Sequence, residues 1–110
     1  MKILFICSAN KDRSATAEEY AMEHYPQHEY DAAGTNQKIC FQLGTQYINA
    51  QQLAAADLIL VMESKHKAEI QRLFGSMYNS KISVLQIKDV YKYGSQNLKE
   101  ILQEKLAAYL

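Results

Sequence analysis

Ile3-Leu4-Phe5-Ile6-Cys7-Ser8-Ala9-Asn10-Lys11-Asp12-Arg13-Ser14 is the stretch on which the fold turns. Its first four residues form an uninterrupted apolar run. A short run with no polar face reads as a strand buried on both sides, as in a parallel sheet. Small and polar residues follow, and from Ser14 to Tyr25 the chain is rich in Ala and Glu. That composition predicts a helix. It stops before Pro26, because the residue ahead of a proline disfavours helical torsions.

The alternation continues outward from this unit. Leu58-Ile59-Leu60-Val61-Met62 is a second wholly apolar run. Tyr30 to Ala33 and Ile82 to Ile87 also read as strands, but polar residues interrupt them, which places them at the sheet edges. Ser64 is positioned to cap a helix that buries Ile70, Leu73 and Phe74 and stops at Gly75. Leu98, Ile101, Leu102, Leu106 and Tyr109 recur at helical spacing and predict an amphipathic last helix. Between Asn36 and Ala56 the pattern predicts a loop, then a short helix around Ala50 to Ala55. Strands alternating with helices imply a four-stranded parallel sheet with helices on both faces, as one α/β domain over residues 1–110. In such sheets ligands bind beyond the carboxyl ends of the strands, so the loop after the first strand is where chemistry is expected.

Composition narrows the classes. A chain of 110 residues fits one core. Apolar residues make up 48% and charged residues 22%, ordinary for a globular protein and unlike a disordered or coiled-coil chain. Twelve basic and twelve acidic side chains cancel, so there is no strong electrostatic reason to bind nucleic acid or an anionic membrane. No run approaches the length of a membrane span or a signal peptide. Two cysteines, Cys7 and Cys40, do not make a disulfide scaffold, and Cys40 reads as an ordinary reduced thiol. His24, His28 and His66 are scattered without metal-ligand spacing and read as structural or surface groups. The expectation is a cytoplasmic domain without metal or cofactor; its oligomeric state is not encoded in any pattern.

Cys7 to Ser14 has the form C-x5-R-S. A loop entering a helix can wrap its backbone N–H groups around an anion, and the helix N-terminus adds positive potential. The same field favours Cys7 as thiolate. Arg13 offers a planar, two-pronged donor set that matches a phosphate. Each residue also has an ordinary reading, Cys7 as a small core residue and Arg13 as a solvated charge. Their spacing at a strand-to-helix junction favours the site.

With these residues the chain resembles the low-molecular-weight protein tyrosine phosphatases, in particular a short bacterial branch. Cys7-x5-Arg13-Ser14 follows an N-terminal strand, and Asn10 stands where the family has its loop asparagine. Thr16-Ala17-Glu18, Ala33-Gly34-Thr35, Ala56-Asp57-Leu58-Ile59, Val61-Met62-Glu63 and Ile87-Lys88-Asp89-Val90-Tyr91 are similar to further family segments in order. The chain departs in a shorter middle between Thr35 and Asp57, in Ala15 and Lys88 where proline is common, and in Asp12 inside the loop.

The resemblance implies a phosphatase that cleaves phosphate monoesters, protein phosphotyrosine or a small ester, through a phosphocysteine on Cys7. Ser8, Ala9, Asn10, Lys11, Asp12, Arg13 and Ser14 would bind phosphate, with Ser14 also reaching the sulfur. A leaving group needs a proton. Of the four aspartates, Asp57 opens a strand at the wrong sheet end, Asp31 lies within a strand and Asp12 lies in the loop. Asp89 remains as the acid. Tyr91 and Tyr93 are candidates for the pocket mouth. An inward Asp12 would repel phosphate, so its carboxylate is expected to point outward, to solvent or a basic neighbour. Two other classes stay open: a phosphocysteine carrier like a sugar phosphotransferase IIB subunit, which needs neither Arg13 nor Asp89, and a catalytically weak phosphate-binding module.

Overall fold

A computed structural model describes residues 1–110. The strands are β1 (Lys2–Cys7), β2 (Glu29–Gly34), β3 (Leu58–Val61) and β4 (Ile82–Val84). The helices are α1 (Arg13–His24), α2 (Gln37–Leu43), α3 (Ala50–Ala55), α4 (Ser64–Phe74) and α5 (Gln96–Leu106). All strand pairs are parallel, in the order β2-β1-β3-β4. The two apolar runs occupy the centre and the two interrupted runs the edges, as their side chains require.

Alternate residues of the central strands face opposite layers. Ile3, Phe5 and Cys7 point with Leu60 and Met62 into a core shared with Ala17 and Ala21 of α1 and Leu98, Leu102 and Leu106 of α5. Leu4 and Ile6 point with Ile59 and Val61 into the other core, against Leu53 of α3 and Ile70 of α4. Burial of Leu98, Leu102 and Leu106 at i, i+4, i+8 is the stripe that fixes α5 to the sheet. No helix is long and apolar enough to cross a membrane.

Three local expectations are corrected. Residues 37–43 form a helix rather than a loop. Asn36 caps it by accepting from the Ile39 N–H, and left-handed Gly44 ends it. The helix was hidden because Ile39, Phe41 and Leu43 alternate at a period of two, and only Cys40 is buried. The N-cap of α4 is Glu63 rather than Ser64. β4 stops at Val84, since Gln86 takes a positive φ of 59° and breaks the ladder; Leu85 and Ile87 still donate to the carbonyls of Val61 and Met62. That break turns the chain across the carboxyl edge of the sheet and delivers Asp89 to the end of β1.

Candidate active site

β1 runs straight into the core and ends on Cys7, which is 3% exposed. The following loop is held from outside by its carbonyls. The Cys7 carbonyl accepts from the Thr35 N–H at 2.9 Å, and the Ser8 carbonyl from the Asn36 N–H at 2.9 Å. The Ala9 carbonyl accepts from the Thr45 hydroxyl at 2.6 Å, and the Asp12 carbonyl from the Thr16 N–H at 3.0 Å. The N–H groups of Ser8 through Asp12 donate to nothing within the chain. Amides left over in a curved loop at a helix N-terminus form a cradle for an anion. Asn10 supplies the left-handed residue of the curve, with φ 51°. Gly34 makes room for the loop: a Cβ there would lie 2.5 Å from the Ser8 carbonyl oxygen and 2.7 Å from the Cys40 sulfur.

Ser14 is fully buried beneath the loop and joins its two ends. Its hydroxyl donates to Asn10 Oδ1 at 2.7 Å and lies 3.0 Å from Cys7 Sγ. Arg13 is 1% exposed. Its Nη1 donates to Glu63 Oε2 at 2.6 Å and to the Ile87 carbonyl at 2.7 Å. Nε lies 3.7 Å from Asp89 Oδ1. Since Nη1 is committed to the protein, Nε and Nη2 are the edge left for an anion. Burial pushes the Glu63 carboxyl up, but the hydrogen bond and charge of Arg13, aided by Lys65 and His66, override that and hold its pKa below the ordinary value.

A hollow of about 100 Å³ is lined by Cys7, Ser8, Ala9, Asp12, Arg13, Ile39 and Asp89. Nucleophile, guanidinium and carboxylic acid candidates therefore meet in one place. Asp31 and Asp57 are engaged elsewhere, by Gln52 Nε2 and by the Lys2 N–H. Asp12 lines the hollow, and its Oδ1 accepts from the Tyr93 N–H at 2.9 Å, a backbone partner rather than the solvent or basic group expected. Tyr91 packs against the core on the α1–α5 side and is not among the residues lining the hollow. Tyr93 is half exposed, with its hydroxyl on Glu19. Cys40 is a free, buried thiol 3.8 Å from the Ser8 carbonyl.

The sequence reading takes His66 as a structural or surface group, quotes Glu63 only within the Val61-Met62-Glu63 segment and passes over Ile39. His66 is 1% exposed. Its Nδ1 accepts from the Glu63 N–H at 3.0 Å, so the ring proton sits on Nε2, which faces Ser8 Oγ at 2.9 Å. Burial, reinforced by the Arg13 charge and by Lys65 and opposed by Glu63 and Asp89, lowers its pKa to about 4. The signal for Glu63 was its place just past a buried strand, on the edge where the chemistry was expected. A larger polar hollow of about 600 Å³ adjoins between α2 and α4; it shares Ser8 with the smaller one and is also lined by His66. It contains neither the thiol nor Asp89, and its cations are largely paired: Arg72 binds Glu69, and Lys65 lies 3.7 Å from Glu63.

No protein-family model matches the chain. The chain is similar to the low-molecular-weight protein-tyrosine-phosphatase PtpB of Staphylococcus aureus, 34% identical over 93 residues covering 68% of this chain and 66% of the relative. It thus spans just under two thirds of the length of the curated relatives it matches. Its fold matches Vibrio vulnificus Wzb, solved in complex with benzylphosphonate, with a TM-score of 0.79 at 19% identity over 98% of this chain and 95% of that one. It also matches the YwlE arginine phosphatase of Geobacillus stearothermophilus, with a TM-score of 0.71 at 20% identity over 97% and 90% of the two chains.

Proposed function

The chain belongs to the low-molecular-weight protein-tyrosine-phosphatase family, and from that premise we propose that residues 1–110 form a phosphatase domain hydrolysing phosphate monoesters, protein phosphotyrosine first among them, in the cytoplasm. The observation that carries this reading is the set of unpaired loop amides from Ser8 to Asp12, curved around a buried cysteine with Arg13 alongside.

The Cys7 thiolate attacks phosphorus; the S–P bond forms as the bond to the leaving oxygen breaks. Asp89 gives its proton to that oxygen. The loop amides and the free edge of Arg13 hold the equatorial oxygens while charge redistributes, a stabilisation that costs no reorganisation because the cradle is preformed. In the second step water attacks phosphorus, Asp89 takes its proton, and the sulfur departs as thiolate. Ser14 has one hydroxyl proton. With Cys7 as thiol, that proton serves Asn10 and the thiol can donate to Ser14; with Cys7 as thiolate, it turns to the sulfur.

The carrier reading gives no work to Asp89, which in this fold stands at the mouth beside Arg13. Turnover of p-nitrophenyl phosphate tests the proposal. Wild type is expected to release phosphate, and Cys7→Ser is expected to fall to background while still binding phosphate or vanadate. Equal turnover by the two proteins would remove Cys7 from the mechanism, and no turnover by wild type would leave a binding module. Tyrosine-phosphorylated peptide should be cleaved faster than arginine-phosphorylated peptide; the reverse order would overturn the substrate assignment.

A further inference from the structure

Asp12 is the N-cap of α1, a position where aspartate ordinarily accepts from the helix's own first-turn amides. Here it makes no such bond. Its Oδ1 instead reaches the Tyr93 N–H at 2.9 Å, across 81 residues of chain. The next amide, that of Gly94, donates to the buried hydroxyl of Thr16 at 3.0 Å. Upstream, the Ile87 carbonyl is fixed by Arg13 Nη1 at 2.7 Å and its N–H by the Met62 carbonyl at 2.8 Å. Lys88, Asp89 and Val90 between these anchors are exposed, and Asp89 Oδ1 lies 3.7 Å from Arg13 Nε. The acid candidate is therefore carried on a span pinned at Ile87 and, beyond it, by the packing of Tyr91 on the core and by the loop's own carboxylate at Tyr93.

We propose that Asp12 is the positioning residue for Asp89: its carboxylate latches the acid segment to the anion loop through the Tyr93 amide. This rests on the phosphatase reading for its kinetic consequence. The carboxylate costs the loop a nearby negative charge, and the latch explains its presence there. Thr16 is the second hook of the same latch, one turn further along α1.

Asp12→Ala and Asp12→Asn separate the latch from the charge. Both remove the charge; only alanine removes the acceptor. Asp12→Ala is expected to lower kcat/KM by about tenfold or more for aryl phosphates with poor leaving groups and far less for activated ones, copying Asp89→Asn in part, since acid catalysis is worth about 10²–10⁴-fold. Asp12→Asn is expected to recover most of that loss. In an Asp89→Asn background, Asp12→Ala should add nothing, because residues acting as a unit are not additive. Thr16→Val, which spares the loop, should show the same leaving-group dependence more weakly. A uniform loss across leaving groups, full additivity with Asp89→Asn, or an asparagine variant as impaired as alanine would overturn the latch. Hydrogen exchange at the Tyr93 amide reads the latch without any turnover. Slow exchange in wild type and fast exchange in Asp12→Ala support it, and equal exchange overturns it. An inactive wild type with a protected Tyr93 amide would sink the phosphatase reading and leave the latch standing.

Discussion

Residues 7–14 combine bonds of short sequence reach, Ser14 to Asn10 over 4 residues and Cys7 to Ser14 over 7, with carbonyl anchors on Thr35, Asn36 and Thr45. The acid segment, from Lys88 to Gly94, is held by contacts that cross the whole chain. Arg13 to Ile87 spans 74 residues, Thr16 to Gly94 spans 78 and Asp12 to Tyr93 spans 81. The amides of the loop are oriented before any ligand arrives, whereas Asp89 depends on a docked segment with exposed residues on either side. On the proposed reading, binding of phosphate and transfer of the proton are therefore assigned to two differently built regions.

Asp89→Asn breaks the comparison most strongly. Turnover of aryl phosphates with poor leaving groups is expected to fall by about 10²–10⁴-fold, with activated esters and the inhibition constant of phosphate much less affected. A series of substituted phenyl phosphates measures this; a uniform small loss would reduce Asp89 to a surface group.

The loop side carries the expected pH sensitivity. His66 is buried neutral with a pKa lowered from 6.5 to about 4 by burial and the Arg13 charge, so the unfolded chain takes up its proton first as pH falls. Stability from this site is complete above pH 6.5, declines down to about pH 4 and is flat below. The full loss is roughly 3 kcal/mol, of which roughly 2 kcal/mol falls between pH 7 and pH 5. Urea unfolding of wild type and His66→Gln at those two pH values checks it. The variant should lose that much less stability on acidification; parallel losses would place the pH response elsewhere. Glu63, with its pKa also lowered, weakens the fold in the same direction only at more acidic pH.

Gly34→Ala sharpens the comparison from beneath the loop. The new methyl would meet the Ser8 carbonyl and the Cys40 sulfur. Overpacking of this kind costs about 1–3 kcal/mol. Phosphate binding is expected to weaken while the dependence of rate on leaving group keeps the wild-type slope. Calorimetry with phosphate and the substituted-ester series read the two separately. A changed slope with intact phosphate affinity would show that β2 supports the acid segment rather than the cradle.

The loop and its strand were legible because their information is local. Four apolar residues need two buried faces, Cys7 ends the run, and Asn10, Arg13 and Ser14 have chemistry that suits an anion at a helix start. The division into central and edge strands also followed from hydropathy alone, with the polar-interrupted runs at the edges, whereas which edge strand joins which central one did not. Asp89 was reachable by elimination, since strand polarity assigns each aspartate to one end of a parallel sheet. Helix α2 was not legible, because its caps are local but its apolar residues do not form a stripe. Only the folded chain decides that Asp12 points to Tyr93, that His66 carries its proton on Nε2, and that Glu63 occupies one arm of Arg13. Each of those depends on the carboxyl ends of parallel strands being brought side by side, where residues far apart in sequence become hydrogen-bond partners and a buried charge must find its counter-charge.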